Sequence, residues 1–356
     1  MNSSPQSNLS RRVSDELLPR VRQPAQYIGR EINQLVRDGD WQRAELRVAI
    51  AFPDTYAVGI CHLGCQIIYW LCNQLPGVCA ERVYCPWVDA ERVMRDRRIG
   101  LFTWDTRQPV AQADILAVSI QHEMCYTNVL TLLDLAGIPL RASDRHETHP
   151  LVLAGGIQAD NPEPLADFLD LVVIGDAEGS LPALLEAYRQ LKRRPLPRRE
   201  IIIELARRFE WLYAPALYDV SYNPDGTIAQ ISPNTPGIAP TVLRCRTRDL
   251  EQAPLPEWPL LPYVQPAQDR ISIEIMRGCP HRCRFCQVGY TRAPLALRSV
   301  QRIVEIAEQA WQATGHEQIG LLSLSSADYP HLKELAEQIN RRFAARQVNI
   351  SLPSLR

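Results

Sequence analysis

The 356-residue chain is 46% hydrophobic and 22% charged, with a formal net charge of −1. These values belong to an ordinary soluble globular protein with room for two cored domains, and they give no reason to expect nucleic acid or an anionic membrane as partner. No run approaches the roughly 20 apolar residues of a membrane span, and the N-terminal "MNSSPQSNLSRR" lacks the apolar region of a signal peptide, so the cysteines are expected in a reducing cytoplasm as thiols or metal ligands.

Taken in chain order, residues 1–14 are polar and expected to be a disordered tail, and 15–45 a helical segment with Ile28, Ile32, Leu35 and Val36 at helical spacing. Between 46 and 194 the pattern changes. Short apolar runs, "LRVAIAF" (46–52), "RVYCP" (82–86), "ADILAVSI" (113–120), "PLVLAGG" (150–156) and "DLVVIG" (170–175), alternate with helical stretches such as 125–137 and 180–194. Continuous apolar strands alternating with helices predict a Rossmann-like α/β domain with a parallel sheet covered on both faces. Ligands bind such sheets beyond the carboxyl ends of the strands. That rule directs attention to 54–59, 119–121, 155–156 and 175–178. Cys61, Cys65, Cys72 and Cys79 lie in apolar surroundings and read as small core hydrophobes.

From 195 to 267 we expect a helix, a hairpin turning at Asp225-Gly226, and a linker, since 251–267 carries five prolines. The basic cluster Lys192, Arg193, Arg194, Arg198 and Arg199 reads as a solvated helix end. The βα rhythm then resumes: a strand at 270–278, a helix at 299–315, a strand at 318–328, a helix at 331–347 and a strand at 348–353.

The first of these strands runs into "RGCPHRCRFCQVGY", with Cys279, Cys283 and Cys286 and no further cysteine downstream. Closed zinc sites take four ligands, generally in two pairs. His281 is available as a fourth donor, but between the first two cysteines it would make a cramped chelate. Ordinary ferredoxin clusters take four cysteines at other spacings. Three thiolates on a four-iron cluster would instead leave one iron with an exchangeable position.

A strand, a glycine, then C-x3-C-x-aromatic-C followed by βα repeats resembles the radical SAM superfamily. The resemblance implies a 4Fe-4S cluster on Cys279, Cys283 and Cys286, whose open iron takes S-adenosyl-L-methionine. Reductive cleavage of that sulfonium would start radical chemistry. It also implies a TIM-like barrel beginning at 268, the backbone of Phe285 near the adenine, and an electron donor such as flavodoxin or ferredoxin as partner. At the end of the second barrel strand, where the superfamily often has Gly-Gly-Glu holding the methionine amino group, this chain has Ser325, Ser326, Ala327 and Asp328. Hydroxyls and a carboxylate suit an ammonium, although they depart from the family pattern.

The 46–194 region resembles a cobalamin-binding domain. Asp54 and Gly59 match D-x-H-x-x-G, but Tyr56 stands where the histidine ligand of cobalt would be, so no lower nitrogen ligand is expected from it. His62 is off register and read as structural. Ser119, Gly155 and Gly156 resemble positions that line the nucleotide tail, and "GDAEG" (175–179) a turn common in cobalamin-binding radical SAM proteins. The likeness covers about 14–356 and extends to a bacterial group of such proteins. It implies 4Fe-4S, S-adenosyl-L-methionine and, for the first domain, cobalamin, with methyl transfer as one outcome. Two barrel strands and a third are present, so the barrel is expected to be incomplete and to need a C-terminal companion chain, as in a truncated or split protein. The competing expectations are a non-catalytic cluster- or corrinoid-binding fragment and a zinc-stabilised interaction module.

Overall fold

The computed structural model describes residues 5–247 and 249–355. Two compact units divide the chain: one holds residues up to 30, 34–59 and 68–246, the other 31–33, 60–67 and 247 onward. Among the described residues no helix is long and apolar enough to cross a membrane.

The first unit is an α/β sheet. Strands β1 (Leu46–Phe52), β2 (Val78–Tyr84), β3 (Ile115–Ser119), β4 (Leu151–Gly155) and β5 (Leu171–Val173) are parallel, and β6 (Leu212–Tyr213) closes one edge antiparallel. The order is β2-β1-β3-β4-β5-β6. β1 is buried along nearly its whole length, which is why its run of apolar residues does not alternate. The chain leaves β1 for β2 on one side and returns to β3 on the other, so the topological switch lies between β1 and β3. The intervening helices include Val88–Arg97, Tyr126–Ala136, Ala177–Lys192 and Arg198–Arg208. Gly137 ends the second of these in the left-handed region and donates its N–H to the carbonyls of Asp134 and Leu133.

Two buried charge networks brace this sheet. Asp105 accepts from the Arg82 guanidinium at 2.9 Å and from Tyr69 at 2.8 Å. Asp170 takes Arg145 at 2.9 Å, Arg198 at 2.7 Å and the backbone N–H of Val152 at 2.7 Å. Arg198, its side chain only 10% exposed, is therefore a structural partner of Asp170, where the sequence suggests a solvated helix end. A hairpin, β7 (Tyr218–Tyr222) with β8 (Ile228–Pro233), turns through Gly226 as the sequence indicates.

Three further expectations change. Residues 5–14 are not a disordered tail: Pro5–Arg12 is helical, Val13 and Leu17 are buried, and Arg12 donates to the carbonyls of Arg97 and Arg98 at the end of Val88–Arg97. Residues 1–4 of that expected tail lie outside the described ones. The helix anticipated around 28–36 does not form, because Gly29, Arg30 and Asn33 take left-handed φ values of 65°, 60° and 68°. Instead Ile32 bridges Leu261 within the second unit. The proline-rich stretch is no free linker either: Ala253, Leu255 and Leu260 are buried, and Arg298 donates to the Ala253 carbonyl.

The second unit carries a three-stranded parallel sheet of β9 (Ile271–Glu274), β12 (Gln318–Leu322) and β13 (Asn349–Ser351), with β12 central. Helix Val300–Thr314 is capped by Ser299, whose hydroxyl accepts from Arg302 N–H, and ends at left-handed Gly315. Its Ile303, Ile306, Ala307 and Ala310 join Ile271, Ile273, Ile319 and Leu321 in one core, to which Leu335, Ile339 and Phe343 of helix Leu332–Phe343 also belong. The strand expected over 270–278 breaks after Glu274. Met276–Arg277 (β10) then pairs antiparallel with Ala296–Leu297 (β11), enclosing the cysteine loop between them.

Candidate functional site

The cysteine loop starts at the end of β10 and folds back through the short helix Val288–Thr291. Gly289 is required there, because a Cβ on it would come within 2.1 Å of the His281 carbonyl. The Cys286 N–H donates to the Cys283 carbonyl at 2.9 Å, closing a turn inside the motif. Cys279, Cys283 and Cys286 are half-buried, and Phe285 between the last two is 91% exposed.

Across from the loop, β12 ends in a 3₁₀ turn, Ser326–Asp328. The Asp328 carboxylate accepts the Ser325 hydroxyl at 2.5 Å and meets His281 Nε2 at 2.6 Å, with both ionisable side chains about a third exposed. The structure thus joins the cysteine loop to the turn after β12 at the carboxyl end of the sheet. Ser325 and Asp328 come together as a polar set. Ser326 does not join them: it is fully buried, and its hydroxyl pairs with Ser323 at 3.0 Å. The sequence offers His281 only as a metal donor; its contact with Asp328 depends on a strand end 47 residues away.

The three thiols do not converge as single-ion ligands would. Among the described residues, the trio of donor atoms within 4.8 Å of one another is Asp54, His122 and Cys125. A loop that keeps its thiols apart suits a multi-iron cluster better than one tetrahedral zinc.

In the first unit the strand-end residues separate into two groups. Tyr56 is buried, packing edge-on to Tyr84 at 5.4 Å, and Gly59 lies against the same Tyr84 ring. Neither is presented as a ligand contact at the strand ends. Gly156 has φ +104°, and a Cβ there would stand 2.4 Å from the Ile120 carbonyl, so glycine permits the β3 and β4 loops to touch. Ser119 accepts from the Gln121 side chain at 2.8 Å, and the Gly155 carbonyl accepts the Ile120 N–H at 2.8 Å. In the second unit, His62 accepts the Cys65 N–H on Nδ1 at 3.2 Å, a helix-start role.

Asp54 is different. It follows β1 at the switch point, and its Oδ1 accepts the Thr55 N–H at 2.6 Å. Near it stand exposed His122 and buried Cys125. Burial, and then the Asp54 charge, push the Cys125 thiol up to about 11. The signal for this group was an H-x-x-C spacing directly after the third strand. Its third member comes from another strand.

Two family models match the chain: "Radical SAM proteins, N-terminal" over residues 64–215 and "Radical SAM superfamily" over 273–356. The uncharacterized protein MJ0966 of Methanocaldococcus jannaschii is 21% identical over 321 residues, covering 87% of this chain and 55% of that protein. The chain therefore spans about half the length of that curated relative. Similar solved structures include the radical S-adenosylmethionine methyltransferase TsrM from Kitasatospora setae, with cobalamin and a 4Fe-4S cluster bound. It has 13% identity and a TM-score of 0.48, over 85% of this chain and 55% of that one. The same protein with tryptophan substrate and the SAM analogue aza-SAM has 14% identity and a TM-score of 0.49, over 85% and 54% of the two chains. With both its N-terminal region and its cysteine-bearing region matched, this chain belongs to the radical SAM superfamily.

Proposed function

We propose that this chain is a radical SAM enzyme component that holds a 4Fe-4S cluster on Cys279, Cys283 and Cys286 and binds S-adenosyl-L-methionine beside it. One observation carries the reading: His281 of the cysteine loop and Ser325 of the β12 turn converge on the single carboxylate of Asp328. When bound, the cluster supplies one electron to the sulfonium, and the donor would be a reduced flavodoxin or ferredoxin. The chain's own residues bind and orient. Asp328 offers an anionic acceptor to the ligand's ammonium, while Ser325 and His281 fix the direction of its oxygens. Phe285, exposed between two of the thiols, offers a face for the adenine.

Anaerobic reconstitution with iron and sulfide, followed by dithionite and S-adenosyl-L-methionine, tests this reading. Release of deoxyadenosine, absent in Cys283→Ala, supports it. A chain that takes up zinc but no iron would defeat it.

A second reading, corrinoid binding by the first unit, is favoured by apolar side chains at the strand ends. Trp87 after β2, Met124 after β3 and Ile157 after β4 are all exposed where the sheet rule places a ligand. Hydroxocobalamin should then co-elute with the full chain in gel filtration, and Met124→Glu with Trp87→Glu should release it. Elution of all the corrinoid at its free volume would reject this reading.

A further inference from the structure

We propose that Asp54, His122 and Cys125 form a binding site for one divalent transition-metal ion of the zinc class, at the switch point of the N-terminal sheet and separate from the cluster loop. The three side chains offer three different donors, a carboxylate oxygen, an imidazole nitrogen and a thiol sulfur, all within 4.8 Å of one another. The assignment rests on this trio alone and requires neither the radical chemistry nor the corrinoid.

Local structure explains the pairing of His122 and Cys125. The segment after β3 forms a single 3₁₀ turn, Glu123–Cys125, in which the Cys125 N–H donates to the His122 carbonyl at 3.2 Å. Residues three apart eclipse one another in that geometry, so an H-x-x-C spacing stacks imidazole and thiol on one side. Cys125 Sγ lies 3.4 Å from His122 Nε2. Metal–sulfur and metal–nitrogen bonds of about 2.3 and 2.0 Å at a tetrahedral angle separate their donors by roughly 3.5 Å. The pair is already at chelating distance.

The third donor is held by separate means. Asp54 sits at the end of β1, which pairs with β3 along Val48 to Ala51. Asn128, on the helix that follows Cys125, donates to the Pro53 carbonyl at 3.0 Å and ties the Asp54 loop to the same helix. Strand pairing and this bond bring the carboxylate to the pair, so little would need to be ordered on binding. Cys125 is buried and His122 exposed, giving an inner anchor and an outer face. Three protein ligands leave one tetrahedral position for water or a small ligand. As the metal–sulfur bond forms, the thiol proton passes to solvent. Soft sulfur and imidazole favour zinc, cobalt or copper over magnesium or calcium.

The test uses the full chain. After anaerobic cluster reconstitution and zinc loading, metal content is measured in the unsubstituted chain and in Cys125→Ser, His122→Ala and Asp54→Asn. The expected result is one zinc per chain beside an unchanged iron content, with affinity for zinc in chelator competition lowered by more than about tenfold in each variant. Co(II) titration of the full chain carrying Cys279→Ala, Cys283→Ala and Cys286→Ala gives a second readout. A thiolate-to-cobalt charge-transfer band should appear, vanish in Cys125→Ser and persist in Cys72→Ala. His122→Ala changes an exposed residue, so its circular dichroism should match the parent and separate metal loss from misfolding. Zinc retained equally by His122→Ala and Cys125→Ser, or a charge-transfer band indifferent to Cys125, would overturn the site.

Discussion

In the N-terminal sheet the principal charged pairs, Arg82 with Asp105 and Arg145 with Asp170, are buried and almost wholly closed to solvent. At the strand ends of the C-terminal sheet, Asp328 and His281 are paired at similarly short range yet remain about a third exposed. The first arrangement has been desolvated once, during folding, and removing a partner strands a charge in the interior. The second keeps access to solvent and can exchange water for a ligand. The same division holds for cysteine. Burial pushes the thiols of Cys72 and Cys85 up to about 12, as suits inert core groups, whereas the loop cysteines are half-buried on an open turn. Polar chemistry therefore serves stability inside the first sheet and presentation at the strand ends of the second.

The largest effect that can break this contrast is in the loop. Cys283→Ala should abolish iron–sulfur absorption after reconstitution while leaving the thermal unfolding curve of the apo chain nearly unchanged. A large loss of apo stability would mean the loop is a structural element, and the contrast would fail. Next is Asp170→Ala, which leaves buried Arg145 and part-buried Arg198 without their carboxylate and removes the acceptor of Val152 N–H. It should cost about 3–5 kcal/mol in denaturant unfolding. Iron uptake per folded molecule should stay the same.

A smaller change sharpens the contrast from the other side. Asp328→Asn keeps the size of the side chain but removes the charge shared by Ser325 and His281. Affinity for S-adenosyl-L-methionine, measured by its effect on the cluster's electron paramagnetic resonance spectrum, should fall roughly 10- to 100-fold, the worth of one charge-assisted hydrogen bond. Iron content should not move. His281→Ala should weaken binding less than Asp328→Asn, because it removes a positioning contact and leaves the carboxylate.

Legibility in the sequence followed the range of the interactions. The βα alternation was readable because strands such as β1 are buried on both faces and so appear as unbroken apolar runs. Helix Val300–Thr314 was readable from its own apolar stripe and its closing glycine. The cysteine loop was readable because its three thiols lie within eight positions. What escaped depends on distant partners. Residues 5–14 are ordered through Arg12 and the Arg97 and Arg98 carbonyls, and the prolines of 251–267 hide the burial of Leu255 and Leu260 between them. A motif register puts Tyr56 at the site, whereas the structure buries it against Tyr84. His122 and Cys125 carried a local signal whose meaning depends on Asp54, delivered by another strand.

The smallest expected effect concerns Glu81, buried beside Asp105 on β2. Its carboxylate accepts the Thr103 hydroxyl, the Thr106 hydroxyl at 2.5 Å and the Thr106 N–H at 3.1 Å. Burial, and then the Asp105 charge, push its pKa from 4.5 up to about 7, against those hydrogen bonds. The folded chain therefore holds this proton at pH values where the unfolded chain has released it. By linkage, its contribution to stability is fully present below about pH 4.5 and is lost as pH rises towards 7, then stays level. Glu81→Gln, neutral throughout, should remove that slope and be the more stable of the two chains at pH 8. Denaturant unfolding at pH 5, 6, 7 and 8 reads this directly. S-adenosyl-L-methionine affinity should not change with the substitution at any of these pH values, since Glu81 serves the fold of its own unit. A Glu81→Gln chain with the parent's slope would place the titrating group elsewhere, and one with altered ligand affinity would undo the division between charges buried inside the first sheet and charges presented at the strand ends of the second.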